Sequence, residues 1–264
     1  MGIRQIPATT RAVAICGKGG VGKTVLTILL TKILVQANRK LLVIDADPVI
    51  GLPQALGVSV TKTMGNVSEE LISTARGNDD RAKTNILNML DYMVLETLVE
   101  LDEFALLTMG KWDGPGCFCP VNDILRDAIG ELARRFDVIL IDGEAGVEQV
   151  NRRVAKDVDT LVVVSDPTIR GIRTAALVAE VGQKRTAKGA MNVGLVISRA
   201  RAGQEEQLRE AAGAAELALL GFIPQDETIA QLDLAGNPLY TIDDVAPSVV
   251  AAKSIAEKLG LIGE

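Results

Sequence analysis

Seven runs of apolar and β-branched residues punctuate the chain, at positions 12–16, 41–45, 104–109, 138–142, 160–165, 192–198 and 217–223. Between them, positions 25–37, 121–135, 172–184 and 249–259 carry apolar residues at helical spacing. This alternation predicts an α/β fold: a doubly wound, mostly parallel sheet with helices on both faces, whose ligands lie beyond the carboxyl ends of the strands. Positions 61–103 break the rhythm, because Arg76-Gly77-Asn78-Asp79-Asp80-Arg81 reads as a polar loop between two helical pieces. That segment is expected to be a helical insertion on the surface. With no internal repeat, low-complexity tract or linker in view, residues 1–264 read as one domain.

Composition supports this architecture. Apolar residues make up 48% of 264 and aromatics only 3%, so Val, Ile, Leu and Ala must build the core. The formal charge of −6 offers no basic footprint for nucleic acid. No run approaches about 18 uncharged apolar residues, and Arg4 and Arg11 sit among polar neighbours at the N-terminus. A cytoplasmic protein with no membrane partner is therefore expected. The three cysteines form no disulfide framework, and the absence of histidine removes the commonest neutral metal ligand and general base. A soft metal would have to be held by thiolates.

The run at 12–16 leads into Gly17-Lys18-Gly19-Gly20-Val21-Gly22-Lys23-Thr24, which fills every position of G-x-x-x-x-G-K-[ST] and precedes a helical segment. In that setting the glycines let backbone N–H groups turn toward phosphate oxygens, Lys23 meets the β- and γ-phosphates, and Thr24 offers a hydroxyl to Mg²⁺. Nucleoside triphosphate binding follows as an expectation. Asp45 and Asp47 close the run at 41–45 two residues apart, one suited to Mg²⁺ and the other to an attacking water; both can serve only if the chain turns at Pro48. The alternative is an ordinary turn stabilised by aspartate side chains. Asp142 ends the run at 138–142 and is followed by Gly143-Glu144-Ala145-Gly146, an acid suited to holding a magnesium-bound water beside a glycine-bearing switch.

Lys18 inside the loop, Asp45-x-Asp47-Pro48 and Asp142-x-x-x-Gly146 together resemble the deviant-Walker-A ATPases, the group of MinD, ParA, the nitrogenase iron protein and nickel-insertion ATPases. The resemblance covers most of the chain. It implies that Lys18 crosses an ATP-sandwiched homodimer interface to the partner's nucleotide, that Asp47 positions the hydrolytic water, and that Lys18, Lys23 and Asp47 form the catalytic set. The family's Asn-Lys strand end is replaced here by Ile197-Ser198-Arg199, which leaves Ser198 as a substitute contact near the base. Pro224 and Asp226 of Gly221-Phe222-Ile223-Pro224-Gln225-Asp226 resemble the family segment that borders the nucleotide.

Cys117 and Cys119 lie in a loop at 111–120 with two glycines and two prolines around them, and Pro120 suits the first position of the helix predicted at 121–135. Two thiolates half-ligate a tetrahedral or square-planar ion, and a twofold-related pair of chains would supply four. Zn²⁺, Ni²⁺ or an iron–sulfur cluster all satisfy that donor set. Cys16, at the end of an apolar strand, reads as a small core residue. The Cys117-Phe118-Cys119 pattern and the segment from Asp142 to Glu148 resemble the CooC-type maturation factors of carbon monoxide dehydrogenase and acetyl-CoA synthase. That likeness implies an ATP-hydrolysing metallochaperone that binds nickel at the dimer interface and delivers it to the apoenzyme. An iron–sulfur, ATP-gated electron donor would spread its cysteines over separate switch segments. A MinD- or ParA-like positioning protein would carry a basic amphipathic C-terminal helix, and an assembly scaffold of the Mrp type a Cys-x-x-Cys late in the chain.

Overall fold

The computed structural model describes residues 10–76, 90–111, 130–143, 158–184 and 191–263. Within them an eight-stranded sheet forms from β1 (Arg11–Gly17), β2 (Leu41–Asp45), β3 (Leu98–Glu100), β4 (Ala105–Thr108), β5 (Val138–Asp142), β6 (Thr160–Ser165), β7 (Asn192–Ala200) and β8 (Leu219–Pro224). Their spatial order is β3-β4-β2-β5-β1-β6-β7-β8, parallel throughout except for the edge strand β3. All seven anticipated strands form, and the architecture is the expected α/β one. The additional strand β3 lies in the segment read as a helical insertion. It is three residues long and only half-buried, too short and too weakly patterned to be legible.

Strand alternation places successive side chains on opposite faces, and here both faces are covered. Val13 and Ile15 of β1, with Leu140 of β5, pack under α1 (Lys23–Gln36) and the C-terminal helix Pro247–Lys258. Ala12, Ala14 and Cys16, with Ile139 and Ile141, face the helices Ile169–Lys184 and Glu205–Ala214. Cys16 is wholly buried, and burial pushes its thiol up to about 12. Short α2 (Leu52–Leu56), then α3 (Met64–Arg76) and α4 (Leu90–Leu95), follow β2; the last two are the helical pieces expected around the polar loop. The remaining helices are α5 (Ile169–Lys184), α6 (Glu205–Ala214), α7 (Glu227–Ala235) and α8 (Pro247–Lys258). Helix α7 fully buries none of its residues, and only Ile229 and Leu232 pack partly against the core, too narrow an apolar stripe to betray it. Of the helix predicted at 121–135, the described part is helical at 130–133.

Candidate functional site

At the carboxyl end of β1 the chain reverses tightly into α1. Gly17 has φ 153°, and a Cβ there would overlap the carbonyl oxygen of Val164, so only glycine passes. Gly20 and Gly22 have φ 76° and 94°, in the left-handed region that favours glycine. Gly22 is the N-cap of α1 and no side chain caps the helix, which leaves the first-turn N–H groups and the positive end of the helix dipole for an anion. Lys23 donates from Nζ to the Lys18 carbonyl at 3.3 Å, while the Lys18 side chain is exposed. Gly17, Lys18, Gly19, Gly20, Val21, Gly22, Lys23 and Thr24 thus form one glycine-shaped turn at a strand end, opening onto an uncapped helix N-terminus.

Three oxygen-bearing side chains line up beside it. The register pairs Thr108 with Asp45 and Asp45 with Asp142, so the ends of β4, β2 and β5 present them in a row on the α1 face. Thr24 Oγ1 donates to Asp142 Oδ2 at 2.7 Å. Burial pushes the Asp142 carboxyl up to about 6, against the opposing pull of the Thr24 hydrogen bond and the Lys23 charge. Burial likewise pushes Asp45 up to about 7, opposed by the Asp47 N–H and reinforced by the Asp142 charge. Asp45 Oδ2, Asp142 Oδ1 and Thr108 Oγ1 are buried without a protein partner. These are hard oxygen donors next to a phosphate cradle, the chemistry that suits magnesium completed by phosphate and water oxygens. Among the described residues, no cluster of three or more Cys, Asp or Glu is placed to hold a metal by itself.

Beyond Asp45 the chain does turn, and aspartate side chains make the turn. Asp47 N–H donates to Asp45 Oδ1 at 3.1 Å and Val49 N–H donates to Asp47 Oδ1 at 2.8 Å. The turn reading of this segment is thus what the structure shows, and the same turn leaves Asp47 close to Asp45 in the chain beyond the end of β2. Asp47 is half-buried there.

On the other side of the loop lies a cavity of about 620 Å³, lined by Gly20, Gly22, Ser198, Arg199, Pro224 and Asp226 among others. The structure thus brings Ser198, Pro224 and Asp226 to the wall of one cavity with the loop glycines Gly20 and Gly22. Ser198 is buried and donates from Oγ to the Val21 carbonyl, with the Ser165 carbonyl 3.3 Å away. Asp226 caps α7 by accepting from Thr228 N–H at 3.0 Å and also accepts from Ser248 Oγ at 2.7 Å. Its burial would raise the carboxyl, but the Ser248 and Thr228 hydrogen bonds outweigh that and hold it below the ordinary carboxylate range. Two contributors were not legible in the sequence. Arg199 donates from Nη2 to the Gly20 carbonyl at 2.8 Å, and Thr108 joins the row of strand-end oxygens. Their only sequence signal is a polar residue at a strand end. Cys117, Cys119, Glu144 and Gly146 lie outside the described residues.

A parallel sheet, a glycine-shaped anion cradle opening a buried helix, and a strand-end aspartate hydrogen-bonded to the loop threonine define a P-loop nucleoside triphosphatase. Residues 12–239 match the model of the CobQ/CobB/MinD/ParA nucleotide binding domain, and the chain belongs to that family. It is 36% identical to an uncharacterized ATP-binding protein of Methanocaldococcus jannaschii over 94% of this chain and 97% of that one. It is 30% identical to the carbon monoxide dehydrogenase accessory protein CooC of Rhodospirillum rubrum, again over 94% and 97% of the two chains. Among solved structures, the cell division ATPase MinD of Pyrococcus furiosus superposes with a TM-score of 0.68 at 23% identity, covering 95% of this chain and 98% of that one. The MinD of Pyrococcus horikoshii, solved with Mg-ADP, does so with a TM-score of 0.67 at 23% identity over 95% and 96%. The protein is an ATPase of this family. Among the described residues, no helix is long and apolar enough to cross a membrane.

Proposed function

We propose that this ATPase is a cytoplasmic, homodimeric metallochaperone that carries nickel between Cys117 and Cys119 of two subunits and delivers it to a carbon monoxide dehydrogenase or acetyl-CoA synthase apoenzyme. The observation that carries this reading is the CooC likeness, which spans nearly the whole of both chains, together with a Cys-x-Cys pair in a chain without histidine. Nickel is the cargo, and zinc is the ion most able to compete for the same four thiolates.

The nucleotide side of the cycle rests on residues of this chain. The loop N–H groups and Lys23 receive the phosphates, and the 620 Å³ cavity with Ser198, Pro224 and Asp226 on its wall receives the base. Thr24, Asp142 and Asp45 would hold magnesium, which neutralises charge developing on the phosphates. Asp47, with Oδ1 held by Val49, orients water through its second oxygen, and exposed Lys18 reaches the nucleotide of the partner subunit. ATP closure of the dimer then changes the metal site. Coupling of about 3 kcal/mol between the two sites would alter metal affinity by roughly 150-fold.

Anaerobic nickel titration with and without Mg-ATP, with oligomer mass read in parallel, tests this. One nickel per dimer, lost in Cys119→Ser while ATP binding persists, is the expected result; stoichiometric nickel in that variant sinks the interface. A MinD- or ParA-like positioning role is the second reading, favoured by the MinD fold likeness. ATP-dependent co-sedimentation with vesicles or DNA, in the absence of nickel binding, would replace the first reading with it.

A further inference from the structure

Strand β7 grips the phosphate loop through two of its side chains. Ser198 Oγ donates to the Val21 carbonyl and Arg199 Nη2 donates to the Gly20 carbonyl at 2.8 Å, so two consecutive loop carbonyls are held by two consecutive side chains. A regular strand cannot do this, because neighbouring side chains point to opposite faces. Here the ladder with β8 slips between Ser198 and Ala200, and Arg199 takes φ 54°. Asn38 and Glu216, the other non-glycine residues with positive φ among those described, follow helix ends, where a left-handed residue is ordinary. Arg199 adopts it inside a strand, and the resulting bulge turns its side chain to the same loop that Ser198 reaches.

The consequence is set by peptide geometry. In a trans peptide the carbonyl and the N–H point in opposite directions. Holding the Gly20 carbonyl toward β7 aims the Val21 N–H away from it, and holding the Val21 carbonyl does the same for the Gly22 N–H. Both donors belong to the loop that opens α1, whose N-terminus no side chain caps.

We propose that Ser198 and Arg199 are positioning residues that orient the phosphate loop, pinning its carbonyls outward so that its N–H groups face the phosphate chain of the nucleotide. This rests on the nucleotide-binding reading of the same site, and it reassigns Ser198 from the base to the phosphates: its single hydroxyl hydrogen is spent on Val21. Removing either pin should therefore weaken ligands in proportion to the phosphates they place in the loop.

Calorimetric affinities of Mg-ADP and of AMP for the wild type, Ser198→Ala, Arg199→Ala and Arg199→Lys test this. Arg199 is exposed, so its variants keep the fold. Expected is a loss of about tenfold in ADP affinity in each alanine variant, the effect of one hydrogen bond from a strong donor, with AMP altered less than twofold and Arg199→Lys recovering most of the loss. Equal losses for AMP and ADP would make these residues base or α-phosphate contacts and overturn the inference, as would unchanged ADP affinity in Arg199→Ala. A wild type with no ADP affinity would overturn the nucleotide reading beneath it.

Discussion

Replacing Asp142 by asparagine should stabilise the nucleotide- and magnesium-free protein at alkaline pH and cost it about 1 kcal/mol in acid. Asp142 is 3% exposed, and burial pushes its carboxyl up to about 6 from an ordinary 3.8. The native state therefore binds this proton more tightly than the unfolded chain does. The stability tied to that proton is full below about pH 4 and lost as pH rises through about 6. At about 1.36 kcal/mol per pH unit, an ionised Asp142 costs the empty protein roughly 3 kcal/mol at pH 8. Asparagine cannot ionise and still offers Thr24 an acceptor, but it leaves an amide N–H where Asp142 Oδ1 now lacks a partner, at a cost of about 1 kcal/mol. The net gain is about 2 kcal/mol, or roughly 5 °C in Tm. Thermal unfolding of both proteins in chelator from pH 4 to 8.5 reads it directly. The wild type should keep a second loss of stability as pH rises, because Asp45 titrates near 7, but that loss will move to lower pH in the variant as the Asp142 charge disappears. A Tm difference independent of pH, or an Asp142→Asn variant less stable than wild type at pH 8, would refute the claim that burial dominates at this carboxylate.

Asp47→Ala should retain ATP binding and lose hydrolysis by about 100-fold, measured as phosphate release beside calorimetric affinity. Gly17→Ala should cost about 3 kcal/mol or more, because the new methyl collides with the Val164 carbonyl; a melting temperature within 2 °C of wild type, roughly, would contradict that clash. Asp226→Ala removes the cap of α7 and the tie to Ser248 and should destabilise by about 1–2 kcal/mol at pH 7. Because the native Asp226 carboxyl titrates below its ordinary 3.8, that difference should be present above about pH 4 and narrow as pH falls further.

Much of the scaffold was written in local pattern. Strands β2, β5 and β6 begin and end where their apolar runs do, because a strand buried on both faces has no polar position to blur its limits. The phosphate loop was equally legible: its turn depends on the φ freedom of glycines a few residues apart and on the helix that follows. Elements that bury little escaped. Helix α7 is defined by the Asp226 cap and by Gly236 at φ 67° rather than by an apolar face, and β3 exists only because β4 offers it an edge.

What the chain's order of residues could not express is adjacency. Asp45 and Asp142 stand 97 residues apart in the chain yet are register partners, and Thr108 joins them only because β4 pairs with β2. Their raised carboxyls follow from that shared burial and not from neighbours in the sequence. Ser198 and Arg199 reach a loop some 177 and 179 positions earlier through a bulge in β7, a long-range contact that no spacing rule encodes. Short-range chemistry made the phosphate loop and the strand-end acids readable in advance. Strand order and register, which depend on how distant segments pack, decided which of those groups share a desolvated space and which loop carbonyls the β7 side chains hold.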